Sequence, residues 1–315
     1  MDLRQIRYFV AACEEGSLSA AATRLNCTAS GVSQQMSALE ERLHINLFER
    51  TRRGVNPTAA GWRLYDRCLA VLKAVSEAEM EMKDFSSGLS GSVSAGFAPG
   101  LAKAVLPAAL ARFVREYPRI DVDIASGTAD ALVAEASGGE LDFYVGQFAK
   151  PQKGLTATMI GKFPVAMISG SLRGLMPMQP VRLDETTPIN LSIPSATHSL
   201  RPKIEAAIRN GEITVERTIS IASLTTGLEF LSLTDWSTIL PFWICLKELG
   251  NDRLTVNPII EPVLDVELAL IHPTQRPLSR ASRQLHDYFR EELQRSCDEW
   301  QRIISRTHTK ADRSN

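Results

Sequence analysis

Two interruptions, Glu15-Gly16-Ser17 and Asn26-Cys27-Thr28, divide residues 3–43 into three short helical segments, and that division constrains the fold more than any other feature. In the first, LRQIRYFVAAC, Leu3, Ile6, Phe9 and Val10 recur at helical spacing, with Arg4 and Arg7 off the stripe. Gly16 can take the positive φ that ends a helix, and Ser17 can cap the next. That next segment, LSAAATRL, turns Ala21, Ala22 and Leu25 inward, and its small residues let helices approach closely. Thr28 or Ser30 caps the third, in which Val32, Met36, Leu39 and Leu43 form an amphipathic stripe. Its opposite face carries Ser30, Ser33, Gln34 and Ser37, with Gln35 to one side and no carboxylate. Hydroxyls and amides bond both phosphates and base edges, whereas acids would repel DNA. Two helices joined by a tight turn, the second polar at its start, predict a helix-turn-helix. Its DNA-contacting candidates are Thr28, Ala29, Ser30, Ser33, Gln34 and Ser37. LFERTRRGVNPTAAG follows as a basic turn or short hairpin, a wing whose Arg50, Arg52 and Arg53 reach phosphate or the minor groove.

Residues 58–86 contain no proline and only Gly61. Trp62, Tyr65, Leu69 and Leu72, spaced 3, 4 and 3, with Val75 and Met82 continuing loosely, suit a coiled-coil seam that pairs two chains. A helix packed on its own domain is the other reading of the same stripe. Ser86 to Gly91, SSGLSG, is a hinge. Beyond it, strand-like SVSAGFAPG, a helical LAKAVLPAALARFVREYP, a strand at Ile120, Val122 and Ile124, a helix capped by Thr128 and closed by Gly138-Gly139, and a strand LDFYVGQF give a β-α-β-α-β rhythm. The rhythm repeats with FPVAMISG, INLSIPS, RPKIEAAIRNG, ITVERTISIA, a helix near 224–233 and STILPFW; a late strand LDVELALIHP and a C-terminal helix follow.

Residues 1–65 closely resemble the winged helix-turn-helix of LysR-type transcriptional regulators. The resemblance is carried by Phe9, Gly16-Ser17-Leu18, Ala21-Ala22, Leu25, Val32-Ser33, Leu39-Glu40, Leu43, Leu47-Phe48-Glu49-Arg50 and Pro57-Thr58-Ala59-Ala60-Gly61. Many members have Gln-Pro and a later Arg where this chain has Ala29, Ser30 and Gln34. The later α/β halves resemble the family's effector domain in element order and in Pro107, Phe113, Pro118, Asp142, Gly227 and Pro241.

The resemblance implies an α+α/β chain: an N-terminal winged helix-turn-helix (1–58), a long linker helix with hinge (59–90), and a two-subdomain α/β effector domain resembling periplasmic binding proteins (91–305). Subdomain I takes 91–163 and 266–305, and subdomain II 164–265, with crossovers near 161–165 and 264–268. A polar tail, 306–315, is expected to be disordered. The implied partners are double-stranded operator DNA, a small-molecule effector, further copies of the chain as homodimer or homotetramer, and RNA polymerase. No membrane partner is expected.

Open parallel sheets bind ligands beyond the carboxyl ends of their strands, near helix N-termini that favour anions. Those ends place Pro99, Gly100, Leu101, Thr128, Phe148, Ser195 and Thr197 at a candidate site for a small organic acid. Thr128 and Ser195 also read as plain caps, His198 as a surface or structural histidine, and Arg201 as a salt-bridge partner.

Charge sharpens the picture. The net charge is −1, but residues 1–90 balance 11 bases against 11 acids, 91–272 hold 15 against 19, and 273–315 hold 9 against 6. A neutral DNA-binding segment can still present one basic face. The apolar content of 44% is too high for disorder. MDLRQIRYFV lacks the apolar core of a secretory signal, and no run suits a membrane helix, so a cytoplasmic location is expected. Five scattered cysteines form no CxxC pair, and five histidines show no metal-ligand spacing. GxSxG, Walker A and GxGxxG are missing, so no enzyme, metal or cofactor is expected. A thiol-based redox sensor built on Cys245 and Cys297 is the alternative regulator; the FWICL setting of Cys245 suggests burial.

Overall fold

The computed structural model describes residues 1–51, 54–87, 91–147, 154–185, 188–196 and 198–311. These form two compact units, one on residues 1–87 with 154–156 and 272–279, the other on the remaining described residues.

In the first unit, α1 (Leu3–Glu15) starts at Asp2. The Asp2 carboxylate accepts from Gln5 N at 2.7 Å and the Gln5 side chain accepts from Asp2 N, a reciprocal cap that hydrophobic spacing does not reveal. Gly16 closes α1 at φ 61. The Ser17 hydroxyl accepts from Ala20 N and opens α2 (Leu18–Arg24), and the Thr28 hydroxyl accepts from Gly31 N and opens α3 (Ala29–Leu43). Strands β1 (Phe48–Thr51) and β2 (Gly54–Pro57) pair antiparallel as a wing. The Thr58 hydroxyl, accepting from Gly61 N at 3.0 Å, leads into α4 (Ala59–Ser87).

Ile6, Phe9, Val10, Val32, Met36, Leu39 and Leu47 form the core. Leu43, expected on the buried stripe, is 37% exposed, because α3 ends there and His44 turns left-handed at φ 55.

The stripe on α4 also departs from the dimer reading. Tyr65 and Leu72 are buried in this same core, with Trp62 and Leu69 half-buried against it. The reason is that α4 packs on α1, and the Tyr65 hydroxyl donates to Glu14 Oε1 at 2.8 Å. Tyr65 and Leu72 of the seam are thus used within the chain.

The second unit contains β3 (Gly91–Phe97), α5 (Pro99–Ala104), α6 (Leu106–Glu116), β4 (Ile120–Ser126), α7 (Ala129–Gly138), β5 (Phe143–Gln147) and β6 (Leu155–Gly170). It continues with β7 (Val181–Arg182), β8 (Ile189–Ile193), α8 (Leu200–Arg209), β9 (Val215–Ser220), α9 (Leu224–Ser232) and β10 (Ser237–Pro241). It closes with α10 (Phe242–Glu248), β11 (Leu254–Glu261), β12 (Asp265–Pro273) and α11 (Arg280–Ala311).

Strand β3 lies parallel between β4 and β5, and β12 runs antiparallel beside β5. In the other half β8 lies parallel between β9 and β10, and β6 runs antiparallel to β10 and β11. The strand order continues from β12 to β6, so each half is a three-stranded parallel sheet closed by an antiparallel strand at the junction. The expected crossovers fall within β6 and at the start of β12.

Local chemistry explains the differences. The single helix read from 101 to 118 breaks at Val105, with Pro107 in the first turn of α6. The strand STILP ends at Pro241, and Phe242 and Trp243 begin α10 instead of continuing it. LTVNPII, to which the sequence pattern assigns no element, is β11. Helix α11 runs to Ala311, past the expected start of the tail at 306. Among the described residues no helix is long and apolar enough to cross a membrane.

Candidate nucleic-acid interface and ligand cleft

The first unit presents the opening of α3. Thr28, Ala29, Ser30 and Gln34 are exposed, and Ser33 and Ser37 are half-buried. Ser30 Oγ donates to Thr28 Oγ1 at 3.4 Å. Gln35, on the flank, accepts from Gln5 Nε2 at 3.1 Å and holds α3 to α1. The first acid of α3, Glu40, turns inward: its Oε1 accepts from Leu47 N at 2.6 Å and Phe48 N at 3.0 Å. That carboxylate anchors the entry to the wing, a role its spacing does not signal. Arg50 is exposed on β1 opposite Val55. Arg52 and Arg53 lie outside the described residues.

Two glycines set the wing. Val55 N donates to Gly16 O at 2.9 Å, and a Cβ on Gly54, at φ 138, would lie 2.2 Å from that carbonyl. A Cβ on Gly61 would lie 2.3 Å from Leu47 O.

The second unit encloses a cavity of about 180 Å³ at the carboxyl ends of its strands. Of the sequence candidates, Pro99, Gly100 and Leu101 from α5, Thr128 before α7 and Ser195 after β8 lie in its wall. Phe148 and Thr197 lie outside the described residues. Gln147, which ends β5 next to the candidate Phe148, is also in the wall, whereas spacing does not point to Thr238 or Trp243, which join it only because β10 and α10 converge there. His198, read as a surface or structural residue, is also a wall residue.

The wall's polar groups are largely engaged with the protein. Thr128 Oγ1 accepts from Ala131 N and Ser223 Oγ from Thr226 N, capping α7 and α9. Thr238 Oγ1 donates to Ser192 O at 2.8 Å. Gln147 Oε1 accepts from Ser199 N at 3.1 Å, and its amide lies against the His198 ring. His198 Nδ1 accepts from Leu200 N at 3.2 Å, and burial lowers this imidazole to about 4. Burial pushes the Tyr144 phenol up to about 12. Arg201 is engaged by Glu205 at 2.7 Å, by Pro194 O and by Ser220 Oγ.

Residues 3–62 match the family described as "Bacterial regulatory helix-turn-helix protein, lysR family", and residues 86–294 match "LysR substrate binding domain". The chain is similar to the nitrogen assimilation regulatory protein nac of Escherichia coli strain K12, with 28% identity covering 89% of this chain and 91% of that protein. The Klebsiella aerogenes protein of the same name is 29% identical, covering 86% and 88%. Among solved structures, an OxyR C206 mutant of Corynebacterium glutamicum is 25% identical, with a TM-score of 0.56 covering 98% and 96%. CbnR, described as a LysR family transcriptional regulator, shares the fold at 20% identity, with a TM-score of 0.56 covering 92% and 100%.

Proposed function

The chain belongs to the LysR family of transcriptional regulators, and from that premise we propose that it binds specific operator DNA as a homodimer or homotetramer under the control of a small molecule in the cavity of the second unit. The observation that carries the DNA half is the acid-free opening of α3, where Ser30 and Gln34 are presented while Glu40 is turned inward. Ser33 and Ser37 flank them, and Arg50, with Arg52 and Arg53 of the same wing sequence, supplies phosphate contacts. The regulator acts in the cytoplasm, where its DNA lies, and meets RNA polymerase at the promoter.

The dimer contact in this reading uses the more exposed apolar positions of α4, among them Val75 and Met82 of the same seam. Val71, Val75, Ala78 and Met82 are spaced 4, 3 and 4, and Val71 and Met82 are 40% and 62% exposed. Tyr65 and Leu72, buried in the chain's own core, are not free for this purpose.

Pro99, Gly100, Leu101, Thr128 and Ser195, with Phe148 and Thr197 by sequence, are the effector contacts in this reading. A ligand favouring one arrangement of the oligomer shifts its affinity for DNA by the same free energy with which DNA shifts ligand affinity. An organic acid, the class read from the sequence, would meet hydroxyls and the N-termini of α7 and α9 but no cationic side chain among the described wall residues. Thiol sensing is the weaker reading. Burial pushes the Cys245 thiol far up and the Cys297 thiol up to about 11, so neither is a ready thiolate at neutral pH.

Binding to the DNA upstream of its own gene, titrated against salt, tests the regulator. Affinity should fall log-linearly with salt, and Gln34→Ala should weaken specific binding more than binding to unrelated DNA. Binding that is absent or independent of salt would sink the reading.

A further inference from the structure

Resting on the reading of this cavity as the effector site, we propose that its ligand is an uncharged, largely apolar molecule about the size of a substituted benzene ring, held by a hydrogen bond it accepts from the Trp243 indole.

Charge is the first ground. No Asp, Glu, Lys or Arg is among the described wall residues. The titratable groups there, His198 and Tyr144, are both neutral at pH 7, for the burial reasons given above. Arg201, the nearby cation the sequence offered to a carboxylate, is engaged by Glu205 and by Pro194 O. A carboxylate entering this space would lose its water without gaining a counter-ion. The N-termini of α7 and α9 offer partial charge, but Thr128 and Ser223 already cap them.

The second ground is a donor left over. Trp243 is 3% exposed, and its Nε1 has no hydrogen-bond partner among the described residues. Buried donors are ordinarily paired, so an orphan in a cavity wall marks a place where something else accepts. It lies beside Gly100, another wall residue, where an added Cβ would come 3.4 Å from Trp243 Nε1 and 2.7 Å from Ile244 Cδ1. The absence of a side chain at Gly100 lets Trp243 and Ile244 approach the start of α5. A carbonyl, ether or amide oxygen on the ligand would complete the indole.

Size and lining are the third. Leu101, Ile193, Leu224, Leu228, Leu240 and Ile244 supply apolar wall around about 180 Å³. An apolar cavity of about 150 Å³ accepts benzene. A monocyclic ring with one polar substituent fits, with little space to spare.

The test uses the full-length chain and probes matched in shape: acetophenone and benzamide, uncharged, against benzoate. Thermal shift and calorimetry should show saturable binding of the neutral pair, with benzoate at least about tenfold weaker. Trp243→Phe, which keeps the ring and removes the N–H, should weaken acetophenone about tenfold with the near-ultraviolet dichroism otherwise retained. Should that variant misfold, Gly227→Leu replaces it. Gly227 lines the cavity, and a Cβ there meets only Ile221 at 3.8 Å, so the larger side chain should fill the space and abolish the neutral-probe shift. Preference for benzoate overturns the ligand class and leaves the effector cavity standing. Undiminished binding of acetophenone to a folded Trp243→Phe overturns the role of the indole. Failure of all three probes overturns both the class and the cavity, whereas failure to bind DNA strikes only the regulator reading.

Discussion

Gly61 and Gly227 show how one added methyl carries opposite signs at two places in one chain. At Gly61 the methyl would press on the Leu47 carbonyl, backbone that cannot swing aside. Gly61→Ala should cost about 1–3 kcal/mol and lower the Tm. At Gly227, inside α9, it meets ordinary contact, and removing a helical glycine should stabilise by about 0.5–1 kcal/mol. Scanning calorimetry of both variants checks the pair; matching signs would contradict the geometry. Glu40 makes a third case. Glu40→Ala leaves the amides of Leu47 and Phe48 without their acceptor, at a cost of about 1–3 kcal/mol. Faster hydrogen exchange at those two amides is the expected signature. The buried imidazoles set a pH limit. Burial lowers both His198 and His286 to about 4, below the ordinary value near 6.5, so the unfolded chain binds more protons between those limits. Stability is therefore complete above about pH 6.5 and declines as pH falls toward 4. His286→Leu should flatten that decline in a thermal melt series, and an unchanged slope would remove His286 from the account.

At the scale of elements, α3 and α4 were legible to different depths. The cap at Ser17 and the turn at Gly16 could be read directly, and the cap of α3 was narrowed to Thr28 or Ser30, of which the fold uses Thr28, because capping depends on a few neighbouring residues. The buried stripe of α3 was legible up to Leu39 and failed at Leu43, since periodicity does not say where the core ends. On α4 periodicity found a true apolar stripe, but the same stripe serves an intrachain or an interchain partner, and only the packing on α1 distinguishes them. Val71→Asp with Met82→Asp should therefore shift the oligomer toward monomer in sedimentation with little loss of Tm. Tyr65→Ala should lower the Tm, because it opens a hole in the core and removes the hydroxyl's bond to Glu14. An oligomer that survives the paired Asp substitutions would place the contact elsewhere.

Over the whole molecule, near-neutral charge conceals a division of labour. The first 90 residues balance their charges and the next stretch is acidic, so the DNA affinity cannot come from bulk attraction. In the proposed reading it rests on a few placed cations and on pairing recognition helices. Arg50→Ala should reduce the slope of log affinity against log salt by about 1 for each phosphate that Arg50 neutralises, and should weaken all DNA sequences alike. A sequence-selective loss would instead make Arg50 a base reader.

The first domain and the alternation of the second were legible in residue order, because caps, turns and hydrophobic periods are local chemistry that residue order expresses directly. Pro99, Gly100, Leu101, Thr128 and Ser195 could be named in advance because strand ends have fixed places in a parallel sheet. Thr238 and Trp243 could not, since they come from β10 and α10, and nothing in their spacing records that those elements converge on the strand ends where Gln147 and His198 lie. The fold alone reveals how Arg201 is held by Pro194 O and Ser220 Oγ as well as Glu205, and which indole is left without an acceptor among the described residues. Those are questions of three-dimensional hydrogen-bond accounting, and partners far apart in the chain settle them.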